Sequence, residues 1–251
     1  MNRAKTPKNS SVAPRKRKAE KRRSVKGRTS SVPERTIDLL LRVAEDQFAA
    51  VGYNAASLAT IARRTGIQKG SLFHYFPSKR QLFDAVAARI FQKLAIVWGE
   101  VAAIQEPAEA LLNLLGRLHD LLAQNPNYPR ILLQRVIEDP GAVRTATAAF
   151  IRPLVMQSAE LIRKASAEGS FRRIDDPVAV AMSALGMPLV LYALAPMVEA
   201  CTDVDVFAPS AVEATRASVL ERAATIVLHE DDPRLMNLAA IGRKLGDPTR
   251  H

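Results

Sequence analysis

A chain of 251 residues with 48% hydrophobic and 24% charged side chains has the composition of a folded globular protein, long enough to bury a full core. Its lone cysteine, Cys201, excludes an intramolecular disulfide framework. The formal net charge of +11 is unevenly placed: residues 1–32 hold 12 Lys/Arg and one acid, Glu20, whereas the other 219 residues hold 24 basic and 24 acidic side chains.

The basic segment contains Arg15-Lys16-Arg17-Lys18 and Lys21-Arg22-Arg23 with almost no large apolar residue. Such a stretch cannot bury enough surface to offset its chain entropy, so residues 1–31 are expected to form a disordered basic tail. Its use stays open between a solvated arm, an arm that follows DNA phosphates, and an import signal or membrane-surface patch. No apolar stretch of the kind a secretory leader needs occurs there, and a cytoplasmic location is expected.

Helical periodicity follows. Ser31 and Glu34 have capping-box spacing, after which Ile37, Leu40, Leu41, Ala44 and Phe48 recur at three- and four-residue steps. Gly52 is placed to end that helix. Residues 57–79, SLATIARRTGIQKGSLFHYFPSK, then predict two short helices joined by a tight turn. Ser57 is a candidate N-cap, Leu58, Ile61 and Ala62 face inward, Gly66 supplies the turn, and Ile67 and Leu72 anchor the second helix. This is a helix-turn-helix, whose second helix enters the major groove of DNA. Gln68, Lys69 and Ser71 offer donors and acceptors at the end where base edges would lie, and Gly70 permits close backbone approach. His74 and Tyr75 can reach phosphates or thymine methyls, and Lys79 stands at a helix start that would meet the DNA backbone. Phe76, and in part Phe73, are as easily read as an aromatic core seam.

A second capping box, Ser78 with Gln81, opens a long helix with its apolar stripe at Leu82, Val86, Ile90, Leu94, Val97 and Val101. Pro107, Pro129, Pro140, Pro177 and Pro209 mark further helix starts, with Asp139 and Asp176 as N-caps. The helices so defined span roughly 107–124, 129–138, 140–168, 177–200 and 209–229. No segment alternates with the period of a strand, so the fold class is all-α. From Pro177 to Val198 no residue is charged, long enough for a membrane span. Its small and proline residues, and the absence of a second such segment, favour a buried or dimer-forming helix. Pro188 predicts a kink near residue 184.

The stretch from about Arg35 to Arg89 resembles the tetracycline-repressor (TetR) family, most tellingly at Ile61-Ala62, Gly66-Ile67, Lys69-Gly70-Ser71-Leu72-Phe73-His74-Tyr75-Phe76, Ser78-Lys79 and Leu82. The resemblance implies a three-helix DNA-binding domain, a linking fourth helix and a C-terminal helical ligand domain, assembled as a homodimer on double-stranded operator DNA. By position, Ser57 and Lys79 would hold phosphates, His74 and Tyr75 would touch phosphate or base, and Lys69, Gly70 and Ser71 would face the bases. Phe73 replaces the family's usual tyrosine, and Ala59 stands where some members place arginine. The expected division is a tail at 1–31, a DNA-binding domain at 32–92, a ligand-binding and dimerisation domain at 93–232, and a polar tail at 233–251.

For the dimer interface, a four-helix bundle built from segments 177–200 and 209–229 is expected, with Val212, Val219, Ala223 and Ile226 as its apolar stripe. Candidate lining residues for a pocket holding a small, largely apolar effector are Trp98, Leu115, His119, Leu133, Phe150, Met182, Met187 and Tyr192, each also readable as plain core. His119 sits in a leucine-rich helix and must find a polar partner. No catalytic, metal-binding or cofactor motif is present in the sequence, so neither an enzyme nor a cofactor is expected. We therefore expect a repressor released by its effector, with a ligand-independent or nucleoid-associated DNA-binding protein as the alternative.

Overall fold

A computed structural model of the protein describes residues 34–138 and 148–238. Among the described residues every regular element is a helix: α1 (Glu34–Ala55), α2 (Leu58–Thr65), α3 (Lys69–Tyr75), α4 (Lys79–Val101), α5 (Pro107–Gln124), α6 (Asn127–Glu138), α7 (Ala148–Ala167), α8 (Pro177–Ala193), α9 (Ala195–Thr202) and α10 (Pro209–Val227). Residues 233–238 add a short helical stretch. The expectations for the basic tail, the Ser31 cap, Asp139, Pro140, the Phe150 side chain and residues 239–251 lie outside what is described.

The local signals act as their chemistry requires. The Gln81 amide donates to Ser78 Oγ at 3.1 Å, and the Ala179 amide to Asp176 Oδ1 at 2.9 Å, satisfying amides that have no partner within the helix. Pro129 is the third residue of α6 rather than its first, because the helix already begins at Asn127; an amide is dispensable at either place. Gly52 takes φ 79° and ψ 167°, so regular helix stops there, one turn before the end of α1.

The kink expected near residue 184 is not where the chain turns. α8 continues through Pro188 to Ala193, breaks at Leu194, and α9 departs at 65°. Pro196, at the start of α9, cannot donate to the Tyr192 carbonyl and blocks straight continuation. No single helix among the described residues is long and apolar enough to cross a membrane, although the bent α8–α9 pair passes by length and composition.

One buried cluster joins Leu40, Ala44 and Phe48 of α1 to Ile61, Leu72, Leu82 and Ile90, and continues into Leu118, Leu122, Ile131 and Tyr192. Each such side chain contributes about 1.5–3 kcal/mol when fully buried, so α1–α3 are held on α5 and α6 by a shared core. A second cluster packs Leu111 and Leu115 of α5 against Ile162, Ala184, Leu220, Ala223 and Val227.

Part of the expected dimer stripe is covered within the chain. α10 packs on α5, leaving Val219 7% and Ala223 1% exposed within the single chain, with Val212 and Ile226 half-buried. Helical periodicity marks an apolar face without saying whether a partner or the same chain covers it. An exposed apolar row lies on α8 and α9, at Val178, Met182, Val190, Leu194 and Met197, within the first of the two segments expected to form the bundle.

Candidate functional site

The turn between α2 and α3 is set by Gly66, whose left-handed backbone (φ 72°) costs a residue without Cβ nothing. Its amide donates to Arg63 O, and the Ile67 amide donates back to Ala62 O at 3.1 Å, the six-to-one closure that satisfies carbonyls at a helix end. Thr65 Oγ1 donates to Ile61 O at 2.9 Å and tightens the same turn. α3 is then fixed through Leu72, which is wholly buried.

Everything else on α3 faces outward. Gln68, Lys69, Gly70, Ser71, Phe73 and His74 are exposed and Tyr75 is half-buried. Phe73, a possible core residue by sequence, stands 39% exposed, with Lys69 Nζ 5.8 Å from its ring centre. Phe76 packs on the core, as its position suggested. Ser57 occupies the N-cap of α2 with its hydroxyl uncommitted to the helix. Residues 57–79 carry Arg63, Arg64, Lys69 and Lys79 and no acid; Arg64 pairs with Asp46 of α1 at 3.5 Å, and the face stays net positive without help from the tail.

Lys79 has an intramolecular task. Its ammonium donates to Asn54 O at 2.9 Å and Ala56 O at 3.2 Å and lies 4.7 Å from the Tyr53 ring centre. It clamps the end of α1 to the start of α4, where sequence position suggested only a phosphate contact. Arg63, exposed on the last turn of α2, is a basic side chain on this face that motif reading passed over; its exposure follows from the inward phase of Ile61 and Ala62.

The C-terminal helices leave part-open cavities between them. An apolar cavity of about 270 Å³ lies among α4, α5, α6, α7 and α8, with Leu133 and Met182 in its wall. Trp98 borders two adjoining cavities. Of the other expected lining residues, Leu115 is core and Met187 packs on the second cluster. His119 and Tyr192 form a polar relay elsewhere, with Tyr192 Oη 2.8 Å from His119 Nε2. His119 Nε2 is also 3.1 Å from Thr215 Oγ1, and Nδ1 is 3.2 Å from Asp120, which accepts from Arg216 Nε at 3.0 Å. Burial lowers the His119 pKa despite the adjacent Asp120 carboxylate, so near neutral pH the ring is uncharged. Gly116 makes room for this relay: a Cβ there would come within 2.6 Å of the Arg216 guanidinium.

α6 faces both regions. Leu132, Leu133 and Val136 line the apolar cavity, while buried Arg135 reaches Asp84 of α4 at 3.0 Å and lies 5.9 Å from the Phe83 ring centre. Asn127 donates to Asp46 Oδ1 of α1 at 3.0 Å. Burial raises the pKa of the neighbouring Glu45, against the hydrogen bond from Asn127.

A short, outward-facing helix-turn-helix on a basic face, backed by a larger helical body with apolar cavities, defines a DNA-binding regulator of the two-part kind. Residues 40–86 match the family described as bacterial regulatory proteins, tetR family, and residues 107–222 match the tetracyclin repressor-like C-terminal domain. The chain belongs to the TetR family of DNA-binding transcriptional regulators. It is 28% identical over 147 residues to the nucleoid occlusion factor SlmA of Actinobacillus pleuropneumoniae serotype 5b, covering 57% of this chain and 68% of that protein. To the HTH-type transcriptional regulator BetI of Cronobacter sakazakii it is 32% identical over 132 residues, 44% of this chain and 63% of that protein. The crystal structure of AibR in complex with isovaleryl coenzyme A and operator DNA superposes with a TM-score of 0.58 at 26% identity, over 62% of this chain and 85% of that one.

Proposed function

We propose that the protein is a homodimeric repressor that grips double-stranded operator DNA through α3 and releases it when a small, largely apolar effector enters the space between α4 and α8. The observation that carries this is the double role of α6. One face lines the apolar cavity, and the same helix holds the DNA-binding helices through Arg135–Asp84 and Asn127–Asp46. An effector that displaces this helix changes the placement of α4 and α1, and with them the separation of two α3 helices across a dimer. Lys69, Gly70 and Ser71 are assigned to base edges, with Gln68 and Phe73 flanking them. Ser57, His74 and Tyr75 are assigned mainly to phosphates. The exposed row on α8 and α9 is assigned to the dimer contact. AibR, solved with an acyl-coenzyme A and operator DNA, supports a regulator of this kind.

A ligand-independent DNA-binding role is the second reading, favoured by similarity to a nucleoid occlusion factor. The neutral, apolar fluorophore N-phenyl-1-naphthylamine separates the two. It is expected to bind once per chain, and its binding is expected to weaken affinity for duplex DNA from upstream of the protein's own gene. Affinity for that DNA unchanged at saturating probe would favour the ligand-independent role.

A further inference from the structure

The space between α4 and α7 is a series of three cavities that share walls. The inner one, about 270 Å³, meets a middle one of about 230 Å³ at Phe91, Leu94, Ile151 and Leu154. The middle one meets an outer one of about 380 Å³ at Trp98, Pro153 and Gln157. Polar groups are confined to the middle and outer cavities. No polar side chain borders the inner cavity, Gln157 alone borders the middle one, and Glu160 and Lys164 join it at the outer one.

Charge at the outer end has one sign to spare. Arg163 donates to both oxygens of Glu160, at 2.8 and 2.7 Å, which neutralises that carboxylate. Lys164, one residue on and exposed, makes no ion pair among the described residues. Along α4 the series runs from Phe91 to Val101, roughly 15 Å at the rise of an α-helix, which suits an extended chain of about ten to twelve carbon atoms. A space of that length, apolar at one end and bordered by Lys164 at the other, suits an extended ligand.

We propose that the effector is an amphiphile: one extended apolar chain lying along α4 with its end in the inner cavity, and an anionic head group outside, beside Lys164. This rests on the reading that the cavity is the effector site, and adds the ligand's shape and charge. The head can be a free carboxylate or the phosphates of a thioester-linked carrier, and both share the chain and the negative charge.

The test is a titration series with saturated fatty acids from hexanoate to hexadecanoate, dodecanol, and dodecanoyl-coenzyme A. Affinity is expected to rise about threefold to fourfold per methylene and to level off near twelve carbons. Ala95→Trp, at an exposed position bordering the middle cavity, should move that plateau to shorter chains. Lys164→Glu should weaken every acid by about threefold to tenfold, as loss and reversal of an exposed ion pair implies, and leave dodecanol unchanged. Unaltered melting of both variants checks that the fold is intact. Dodecanoyl-coenzyme A binding more tightly than dodecanoate assigns the head to phosphate, and the reverse order assigns it to carboxylate; both uphold the proposal. Affinity that does not grow with chain length would overturn it, as would dodecanol matching dodecanoate with no effect of Lys164→Glu. If N-phenyl-1-naphthylamine binds while all the acids fail, the amphiphile falls and the effector cavity stands.

Discussion

Gly186 sits inside α8 and borders the inner cavity, and a Cβ built on it meets no atom within 4 Å. Gly186→Leu should therefore stabilise the protein and silence its effector response together. Replacing a mid-helix glycine with a good helix former contributes about 0.5–1 kcal/mol. A leucine side chain that fills part of the apolar 270 Å³ cavity adds about 1 kcal/mol, half of full burial because this stretch of α8 is only half-covered. Ordering the new side chain takes back about 0.5–1 kcal/mol. The balance is a gain of about 1 kcal/mol, roughly 2–4 °C in melting temperature for a chain of this size. Scanning calorimetry measures the gain, and fluorescence anisotropy on operator DNA, with and without N-phenyl-1-naphthylamine, measures the response. DNA affinity should match the parent and no longer change with the probe. Gly186 also lies in the row assigned to the dimer contact, between Met182 and Val190, which are exposed one turn to either side; a lower melting temperature accompanied by dissociation in sedimentation would mean that the glycine serves close approach of the partner helix, and would refute the predicted gain. A retained response would refute the cavity as the effector site.

Lys69→Ala and Ser71→Ala should each weaken cognate operator binding by about 1–3 kcal/mol more than random DNA; equal losses in parallel titrations would assign both to phosphates. Lys79→Met should cost about 1–2 kcal/mol of stability by stripping donors from Asn54 and Ala56, with the salt slope of DNA binding unchanged, whereas a slope reduced by about 1 per protomer would make Lys79 a phosphate contact. Because burial depresses the folded-state pKa of His119, its contribution is fully present above the unfolded value near 6.5 and is lost as pH falls below it. That loss is about 1.4 kcal/mol for each tenfold difference in proton affinity between the folded and unfolded chain. Urea melts at pH 7.5 and 5.0 should show a smaller acid loss in His119→Gln than in the parent, and identical losses would place the acid sensitivity elsewhere. Deleting residues 2–30 should flatten the salt slope by roughly 5 per protomer if about half of the tail's charges engage phosphates, leaving the preference for operator intact; a collapsed preference would mean that the arm reads groove shape.

What the sequence determined by itself was everything carried by local chemistry. Caps at Ser78 and Asp176, proline at the first positions of α5, α8 and α10, and the glycine turn at Gly66 act within a few residues, and their positions set the helix boundaries. The exposed face of α3 was legible for the same reason. On a seven-residue helix with one buried anchor, Leu72, the remaining side chains have nowhere to go but outward. Only tertiary structure could decide which of several apolar faces covers which. Val219 and Ala223 have the spacing of an interface stripe, yet they turn toward their own chain, and the unpartnered row falls on α8 and α9. His119 looked like a pocket residue because its neighbours are leucines; its partners Tyr192 and Thr215 lie 73 and 96 residues away in sequence. Lys79 looked like a phosphate contact, and its clamp on Asn54 and Ala56 depends on how α1 returns to meet α4. The cavity series is of the same kind, since its walls come from five helices and the contrast between its apolar end and its polar end exists only once α4 and α7 lie side by side. Periodicity specifies how much apolar surface a helix must hide, whereas packing between distant segments specifies what hides it, and where a gap is left for a ligand.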